Sequence, residues 1–365
     1  MQKIKGRNIL VCTHVFPPDR GGISAFTRDL TVLFEDLGLR VNIHHRKKRG
    51  KTNRIVLYFK HVADLIGLFL KLFKNQYDYV FSTRLLPLGI FTIIAKPFIK
   101  GIVIVQVHGT ELEGRYKKSR WRKYLIRSSY NASDQVWANS QNTVERLLTY
   151  GVLKSKIKLV YPFLTPDIHE VKSKEPESKE TLRIFTAANL YHRKGIDLVL
   201  RSLSALKNYN WTYYIAGEFT GGGQNTYCQL ASELGISHRV TFLGQLPRKE
   251  LWKEMATSDL FVLTSRELPN DIESFGIVYI EAQYFGLPCI GTNTGGIPEA
   301  IGTGGFLIDN ESISQLTRYL KLLMEDRILK KKLSEISAER VKQKFLMQVR
   351  QKEIHQYLVN MHQGR

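Results

Sequence analysis

The feature that most constrains this chain is an alternation of strand-length apolar runs and helical segments that starts, stops and starts again. In the first half the apolar runs are Asn8 to His14, Val41 to His44, Tyr79 to Ser82, Ile102 to Val107 and Val136 to Asn139. Between them lie segments of helical period, from about Ile23 to Leu37, from 55 to 73, after Leu85, and from about Gln141 onward. Runs that are apolar on both faces belong to a parallel sheet covered by helices on each side. Residues 172–181 are charged and carry no apolar pattern, which marks a linker. The alternation then resumes with Leu182 to Ala187, Trp211 to Ala216, Val240 to Leu243, Leu260 to Thr264 and Cys289 to Gly291. The expected fold class is α/β, with two doubly wound, Rossmann-like parallel sheets. The expected limits are 1–168 for the first domain, 169–181 for the linker and 182–340 for the second domain. A C-terminal helix, 341–365, is expected to pack back on the first domain. Open sheets of this kind bind ligands at the carboxyl ends of their strands, so a site in an interdomain cleft is predicted.

A chain of 365 residues, 43% of them hydrophobic, is long enough for two full cores. No run reads as a membrane span: Lys60, His61, Asp64 and Lys71 interrupt the stretch from Ile55 to Phe73, and Lys96-Pro97 breaks the next. The opening residues lead into a strand rather than a signal sequence. The three cysteines, Cys12, Cys228 and Cys289, lack metal-ligand spacing, and Cys12 and Cys289 read as buried thiols of a reducing compartment. The net charge is +21, and it is lopsided. Residues 1–165 hold 29 Lys and Arg against 10 Asp and Glu; residues 166–365 hold 25 against 23. Two clusters dominate: Arg46, Lys47, Lys48 and Arg49; then Lys117, Lys118, Arg120, Arg122 and Lys123, interleaved with Tyr116, Trp121 and Tyr124. Cations mixed with aromatics suit an anionic membrane surface, and also nucleic acid.

The chemistry-bearing residues fall where such sheets place ligands. Gly21-Gly22 opens the first helix, where bare backbone N–H groups suit a phosphate. His108 follows the run Ile102 to Val107. Arg193-Lys194-Gly195 follows Leu182 to Ala187; two cations at a helix start oppose the helix dipole, which an anionic ligand would explain. Gly217-Glu218 and Thr294-Gly-Gly-Ile-Pro-Glu299 also follow strands. Glu273-Ser274-Phe275-Gly276 opens a helix expected over 276–285, stopped by Gly286 and Pro288, with Ile277, Ile280 and Tyr284 on one face. Glu281 lies eight residues after Glu273, so the two carboxylates are expected to share a helical face, with Glu281 deeper. Carboxylates accept from hydroxyls, which suits a sugar or a ribose. Gly276 is expected to let a ligand approach the backbone.

Glu273-x7-Glu281, with Phe275-Gly276, Glu281-Ala282, Gly286-x-Pro288 and Gly295-Gly296-x-Pro298-Glu299, resembles glycosyltransferase family 4, whose fold is GT-B. The stretch from Asp271 to Val278 is similar to the branch of phosphatidylinositol-mannoside mannosyltransferases. The resemblance implies a retaining, metal-independent hexosyltransferase that uses a GDP- or UDP-sugar. It implies that Gly22 meets donor phosphates and His108 the donor sugar, that Arg193 and Lys194 bind the pyrophosphate, and that Glu273 binds sugar hydroxyls. Backbone N–H groups around Ser274, Phe275 and Gly276 would assist, and Glu281 would hold the nucleotide ribose. No cofactor and no metal are implied, and the chain has no Asp-x-Asp. Tyr284-Phe285 is bulkier than the family's usual pair.

The expected partners are therefore a nucleotide sugar, a lipid-linked or glycan acceptor and an anionic membrane surface, and no nucleic acid. The expected setting is cell-surface polysaccharide assembly, peripheral on the inner face of the cytoplasmic membrane. Rival readings are a GT-B nucleotide-sugar epimerase, a phosphorylase, or a basic nucleic-acid-binding protein. The last leaves the paired glutamates without a role, and no cofactor lysine for a phosphorylase is evident.

Overall fold

The computed structural model describes residues 4–17, 19, 21–45, 54–112, 119–172, 181–219, 223–269 and 271–363. The chain divides into two compact units: Met1–Thr165 with Met347–Arg365, and Pro166–Leu346. Most of the charged run 172–181 lies outside the described residues. The first division therefore falls just ahead of the expected linker, and the second at Met347 rather than 341.

Unit 1 is a six-stranded, all-parallel sheet in the order β2-β1-β3-β4-β5-β6. Its strands are β1 (Asn8–Thr13), β2 (Arg40–His45), β3 (Tyr79–Ser82), β4 (Ile102–Val107), β5 (Gln135–Ala138) and β6 (Ile157–Leu159). Successive side chains alternate between faces. Leu10, Val80, Val103, Val105 and Val136 form one face with Leu68 and Leu72 of α2 (Arg54–Lys74). The same core takes in Ala95 of α3 (Ile90–Ala95), Ile126 and Tyr130 of α4 (Arg120–Ala132) and Leu147 of α5 (Gln141–Thr149). On the other face Phe81 and Trp137 meet Phe34 of α1 (Gly22–Asp36), with the Phe81–Trp137 ring centroids 5.3 Å apart.

Unit 2 repeats the plan in the order β12-β11-β10-β7-β8-β9. Its strands are β7 (Leu182–Ala187), β8 (Trp211–Ala216), β9 (Val240–Gly244), β10 (Leu260–Leu263), β11 (Cys289–Thr292) and β12 (Gly305–Ile308). Ile184, Tyr213, Ile215 and Val262 pack with Val199 and Leu203 of α6 (Ile196–Ser204) and Ala231 of α7 (Gly223–Glu233). Trp252 of α8 (Arg248–Ala256) and Tyr279 of α9 (Ile277–Tyr284) are fully buried, and Phe261 sets its ring against Tyr279 on the sheet face opposite α6. α10 (Ile297–Ile301), α11 (Ile313–Glu325) and α12 (Arg327–Lys344) complete the unit. The last helix, α13 (Met347–Gln363), returns to unit 1, where Tyr79 Oη donates to the carbonyl of Leu358.

In each unit the chain winds outward from one strand and then restarts on that strand's other side. The reversal lies between β1 and β3 in unit 1 and between β7 and β10 in unit 2. Both are topological switch points, where diverging loops leave room for a ligand at the carboxyl ends of the strands.

Trp137 is fully buried, and its indole N–H donates to Gln135 Oε1 at 2.9 Å. Trp137→Ala is expected to lower the stability of unit 1 by about 3–5 kcal/mol, because the cavity between Phe34 and Phe81 cannot close. Urea unfolding followed by far-UV circular dichroism measures the loss.

Candidate active site

At the switch point of unit 2 the loop after β7 is tied to the loop after β10. A short 3-10 turn, His192–Lys194, carries both candidate cations. Two of its backbone carbonyls, and that of Gly195 just after it, are held. Arg266 N–H donates to Arg193 O at 2.6 Å, Arg266 Nη1 to His192 O at 2.7 Å, and Thr264 Oγ1 to Gly195 O at 2.8 Å. The approach is close enough that only glycine fits at 195: its φ is +68°, and a Cβ would sit 2.1 Å from Thr264 O. Arg266 is itself buried and grips Asp197 with two bonds, at 2.8 and 2.6 Å. Its Nε pairs with Glu311, which adopts φ 62°, a strained value for a residue other than glycine.

The held turn directs its charges at two carboxylates. Arg193 Nε lies 2.8 Å from Asp271 Oδ2, and Arg193 Nη1 lies 3.2 Å from Glu273 Oε2. Lys194 Nζ bonds the same Glu273 oxygen. The Arg193, Lys194 and Glu273 side chains are only 7%, 12% and 16% exposed, so these charges meet through little water. Burial alone would raise the Glu273 carboxyl; the charges and hydrogen bonds of Lys194 and Arg193 outweigh it and hold the group down at about 2. Burial pulls the Lys194 ammonium below its ordinary value, against the pull of Glu273. Tyr191 Oη accepts from Arg193 Nε and Nη2 at 3.1 and 2.7 Å, which fixes the guanidinium plane.

Glu273 does not lie on the helix with Glu281. The helix begins at Ile277, because Gly276 takes φ 85° and breaks the helical path ahead of it. The expected shared face is therefore absent, and each glutamate has its own partners. The room at Gly276 also serves packing: a Cβ there would meet the Tyr279 ring at 2.6 Å. Phe275 is core, with its ring 5.8 Å from Phe345. The two glycines of Thr294-Gly295-Gly296 let their loop lie on the backbone of Glu273 and Ser274. A Cβ at either would fall 2.0 Å from a carbonyl oxygen, and Gly296 N–H donates to Glu273 O at 3.0 Å. Gly286 ends the helix as expected, at φ 77°.

Glu281 is buried, and its Oε1 accepts from Arg248 Nε at 3.0 Å and Trp252 Nε1 at 3.1 Å. Arg248, Trp252, Tyr191, Asp197, Arg266 and Asp271 were not evident as site residues from the sequence. Asp271 and Arg266 had a signal, since both lie on the segment that follows β10. Arg248 and Trp252 had none, because their partner is about thirty residues away in the chain.

In unit 1, His108 stands at the end of β4, 6% exposed and edge-on to Phe26. Its backbone N–H donates to Glu111 Oε1 at 3.1 Å, and its Nε2 has no hydrogen-bond partner among the described residues. Burial, with the charges of Arg84 and His14, pushes the imidazole down to about 3, against a backbone hydrogen bond with Thr83. His14 and Arg84 follow β1 and β3, with Arg84 Nη1 3.3 Å from His14 Nε2. Gly21 caps α1 at φ 111°, and a Cβ at Gly21 or Gly22 would meet nothing within 4 Å among the described residues. Arg120, Trp121, Arg122 and Lys123 are exposed on the first turn of α4. Arg46, Lys47, Lys48, Arg49, Lys117 and Lys118 lie outside the described residues.

Glu273→Gln removes the counter-charge of two buried cations. It is expected to destabilise unit 2 by roughly 3 kcal/mol at neutral pH, the lower end for breaking a buried pair, because the site is not fully closed. The folded-state value is depressed, so the stabilisation is complete above the ordinary value of 4.5 and lost as pH falls toward about 2. Thermal unfolding of both proteins over that range should show a gap that narrows only on the acid side.

Residues 14–167 match the family profile described as Glycosyltransferase Family 4, and residues 167–340 match Glycosyl transferases group 1. A GDP-mannose-dependent monoacylated alpha-(1-6)-phosphatidylinositol monomannoside mannosyltransferase of Corynebacterium glutamicum is 24% identical over 348 residues, covering 88% of this chain and 90% of its own. An N-acetyl-alpha-D-glucosaminyl L-malate synthase of Bacillus anthracis is 27% identical over 285 residues, covering 74% of this chain and 72% of its own. The crystal structure of Anabaena HepE in complex with UDP and glucose superposes with a TM-score of 0.76 at 18% identity, covering 96% of this chain and 99% of that one. The two profiles adjoin and span residues 14 to 340, over two sheets wound in the same way. The chain belongs to glycosyltransferase family 4, the group 1 glycosyltransferases, and is an enzyme of the GT-B fold.

Proposed function

We propose that this glycosyltransferase moves a hexose from GDP- or UDP-sugar to a lipid-linked or glycan acceptor, with retention of configuration and without a metal ion. The observation that carries the reading is the buried pair Arg193–Lys194 at the switch point of unit 2. Among the described residues its charges are met by two carboxylates, Asp271 and Glu273, that a diphosphate can replace. On donor binding, Arg193 and Lys194 exchange Glu273 and Asp271 for phosphate oxygens, and Glu273 is released to accept from sugar hydroxyls. The two cations then face the charge that develops as the diphosphate leaves, so they stabilise the transition state more than the ground state. Glu281, steadied by Arg248 and Trp252, takes the ribose. The family resemblance assigns Gly21 and Gly22 to the donor phosphates and His108 to the donor sugar.

The ionisation of the site favours retention. A general base works best with a value near the operating pH. In the free enzyme Lys194 and Arg193 hold Glu273, and burial with nearby positive charge holds His108, below the range of an effective base. In the proposed reaction the acceptor proton goes to the departing diphosphate. The bond from C1 to the diphosphate oxygen breaks, the acceptor oxygen bonds to C1 from the same face, and its proton passes to that diphosphate oxygen. The Corynebacterium relative's name describes a sugar-bearing phosphatidylinositol acceptor, which supports a lipid-linked acceptor here. The proposal includes a place in cell-surface glycan assembly on the inner face of the cytoplasmic membrane.

Thermal-shift screening with UDP, GDP, ADP and their sugars tests the donor. A nucleotide at about 100 times its Kd should add roughly 2.7 kcal/mol, and a shift with none of them rejects the reading. With the donor known, transfer should persist in EDTA, and proton NMR of the product should show the donor's anomeric configuration. Glu273→Gln, assayed below its unfolding transition, should lose about 10²–10³ in kcat without weakening nucleotide affinity, because the diphosphate no longer competes with that carboxylate. Glu281→Gln should weaken free nucleotide by about tenfold, or 1.4 kcal/mol. The kcat/KM profile should show no limb near pH 6–7 from His108, whose imidazole in the free enzyme is pushed down to about 3.

A further inference from the structure

Unit 1 leaves an apolar surface uncovered. Helix α2 is apolar on two sides. Leu68 and Leu72 are buried in the core, while Ile66, Phe69, Leu70 and Phe73 point outward at 54%, 39%, 48% and 51% exposure. The turn after α3 extends this outer stripe. The Phe69 and Phe73 ring centroids are 4.4 Å apart, Phe73 and Phe98 are 6.0 Å apart, and Ile94 and Phe98 are the more exposed at 65% and 67%. Helix α4 packs against α3 and adds Trp121, Tyr124 and Leu125, with Trp121 stacked near Tyr124 at 6.3 Å. Nine of the fourteen exposed large hydrophobic side chains among the described residues lie on these three neighbouring segments; the other five are scattered over separate elements. Single exposed apolar residues are ordinary, but a contiguous group marks an interaction surface.

The charges on the same segments say what covers it. Residues 65–75, 90–100 and 120–132 contain Lys71, Lys74, Lys96, Lys100, Arg120, Arg122, Lys123 and Arg127, and no Asp or Glu. Lys71 Nζ reaches Ile43 O and Lys96 pairs with Asp134; Lys74, Lys100, Arg120, Arg122, Lys123 and Arg127 are solvent-exposed. A second copy of this chain docked face to face would set these cations against their own kind, which disfavours a symmetric dimer. Among the described residues no helix is long and apolar enough to cross a membrane. Apolar side chains in the middle, Trp and Tyr beside them and cations around them fit a surface that lies in the headgroup layer.

We infer that the α2–α3–α4 face of unit 1 docks on an anionic lipid bilayer, with Phe73, Ile94 and Phe98 inserted among the acyl chains and the α4 cations on the headgroups. This names the membrane contact that a lipid-linked acceptor requires. It is nevertheless measured without donor or acceptor, so it stands or falls separately from glycosyl transfer.

The test is flotation of the full chain with vesicles of phosphatidylcholine alone and with about 30% phosphatidylglycerol, at roughly 0.15 M salt. The wild type should float with the anionic vesicles and stay down with the neutral ones. Phe73→Ser/Phe98→Ser changes exposed side chains only, so its thermal transition should match the wild type while the floated fraction falls roughly tenfold or more. Arg120→Glu/Lys123→Glu should weaken binding to the anionic vesicles. The inference is overturned if the wild type ignores anionic vesicles, or if a correctly folded Phe73→Ser/Phe98→Ser protein floats as well as the wild type. It is also overturned if light scattering shows a wild-type dimer that this variant dissolves, because a second copy would then own the face.

Discussion

Unit 2 is organised around the burial of two adjacent cations. A guanidinium and an ammonium at 7% and 12% exposure cannot be left unmatched, because an unpaired charge out of water costs several kcal/mol. Their matching carboxylates come from a loop about eighty residues later, and that loop is brought in by backbone contacts rather than by the ion pairs themselves. Gly295 and Gly296 let it rest on a neighbouring loop with no side chain between them. Arg266 and Thr264 hold the opposite turn by its carbonyls. The charges then meet in a place already fixed, and replacing one anion with another requires little rearrangement.

The two units share a winding and differ in chemistry. In unit 2 the strand ends carry a closed ionic network. In unit 1 they carry His14, Arg84 and His108, a group in which burial and nearby positive charge keep an imidazole neutral. A neutral imidazole both donates and accepts a hydrogen bond, which a cation cannot do.

Much of the fold was legible because buried parallel strands announce themselves as uninterrupted apolar runs. The strands 79–82, 102–107, 182–187 and 211–216 fall where the sequence puts them. The two strands that escaped, β6 and β12, are edge strands. Ile157-Lys-Leu159 is three residues long, and Gly305–Ile308 starts on the second glycine of a pair and fully buries only Ile308. Neither carries enough pattern to be seen alone. At the site, glutamates, cations and glycines could be found by type and by position after strands. Their pairings could not, because Arg193 meets Glu273 only after the sheet has brought distant loops together. The helix reading of Glu273 failed for a local reason: Gly276 turns left-handed, and glycine does so without any signature beyond being glycine.

Helix α13 has a consequence for how the molecule is made. Unit 1 is discontinuous, with residues 347–363 returning to a sheet built from residues 8–159. Tyr79 is wholly buried, and its hydroxyl donates a hydrogen bond to the carbonyl of Leu358 on that helix. On the ribosome the domain begun first is therefore finished last. Unit 2, contiguous in the chain, can close while its predecessor still waits for the helix that meets Tyr79. During synthesis the exposed liability belongs to the older domain, and its protection arrives with the final helix.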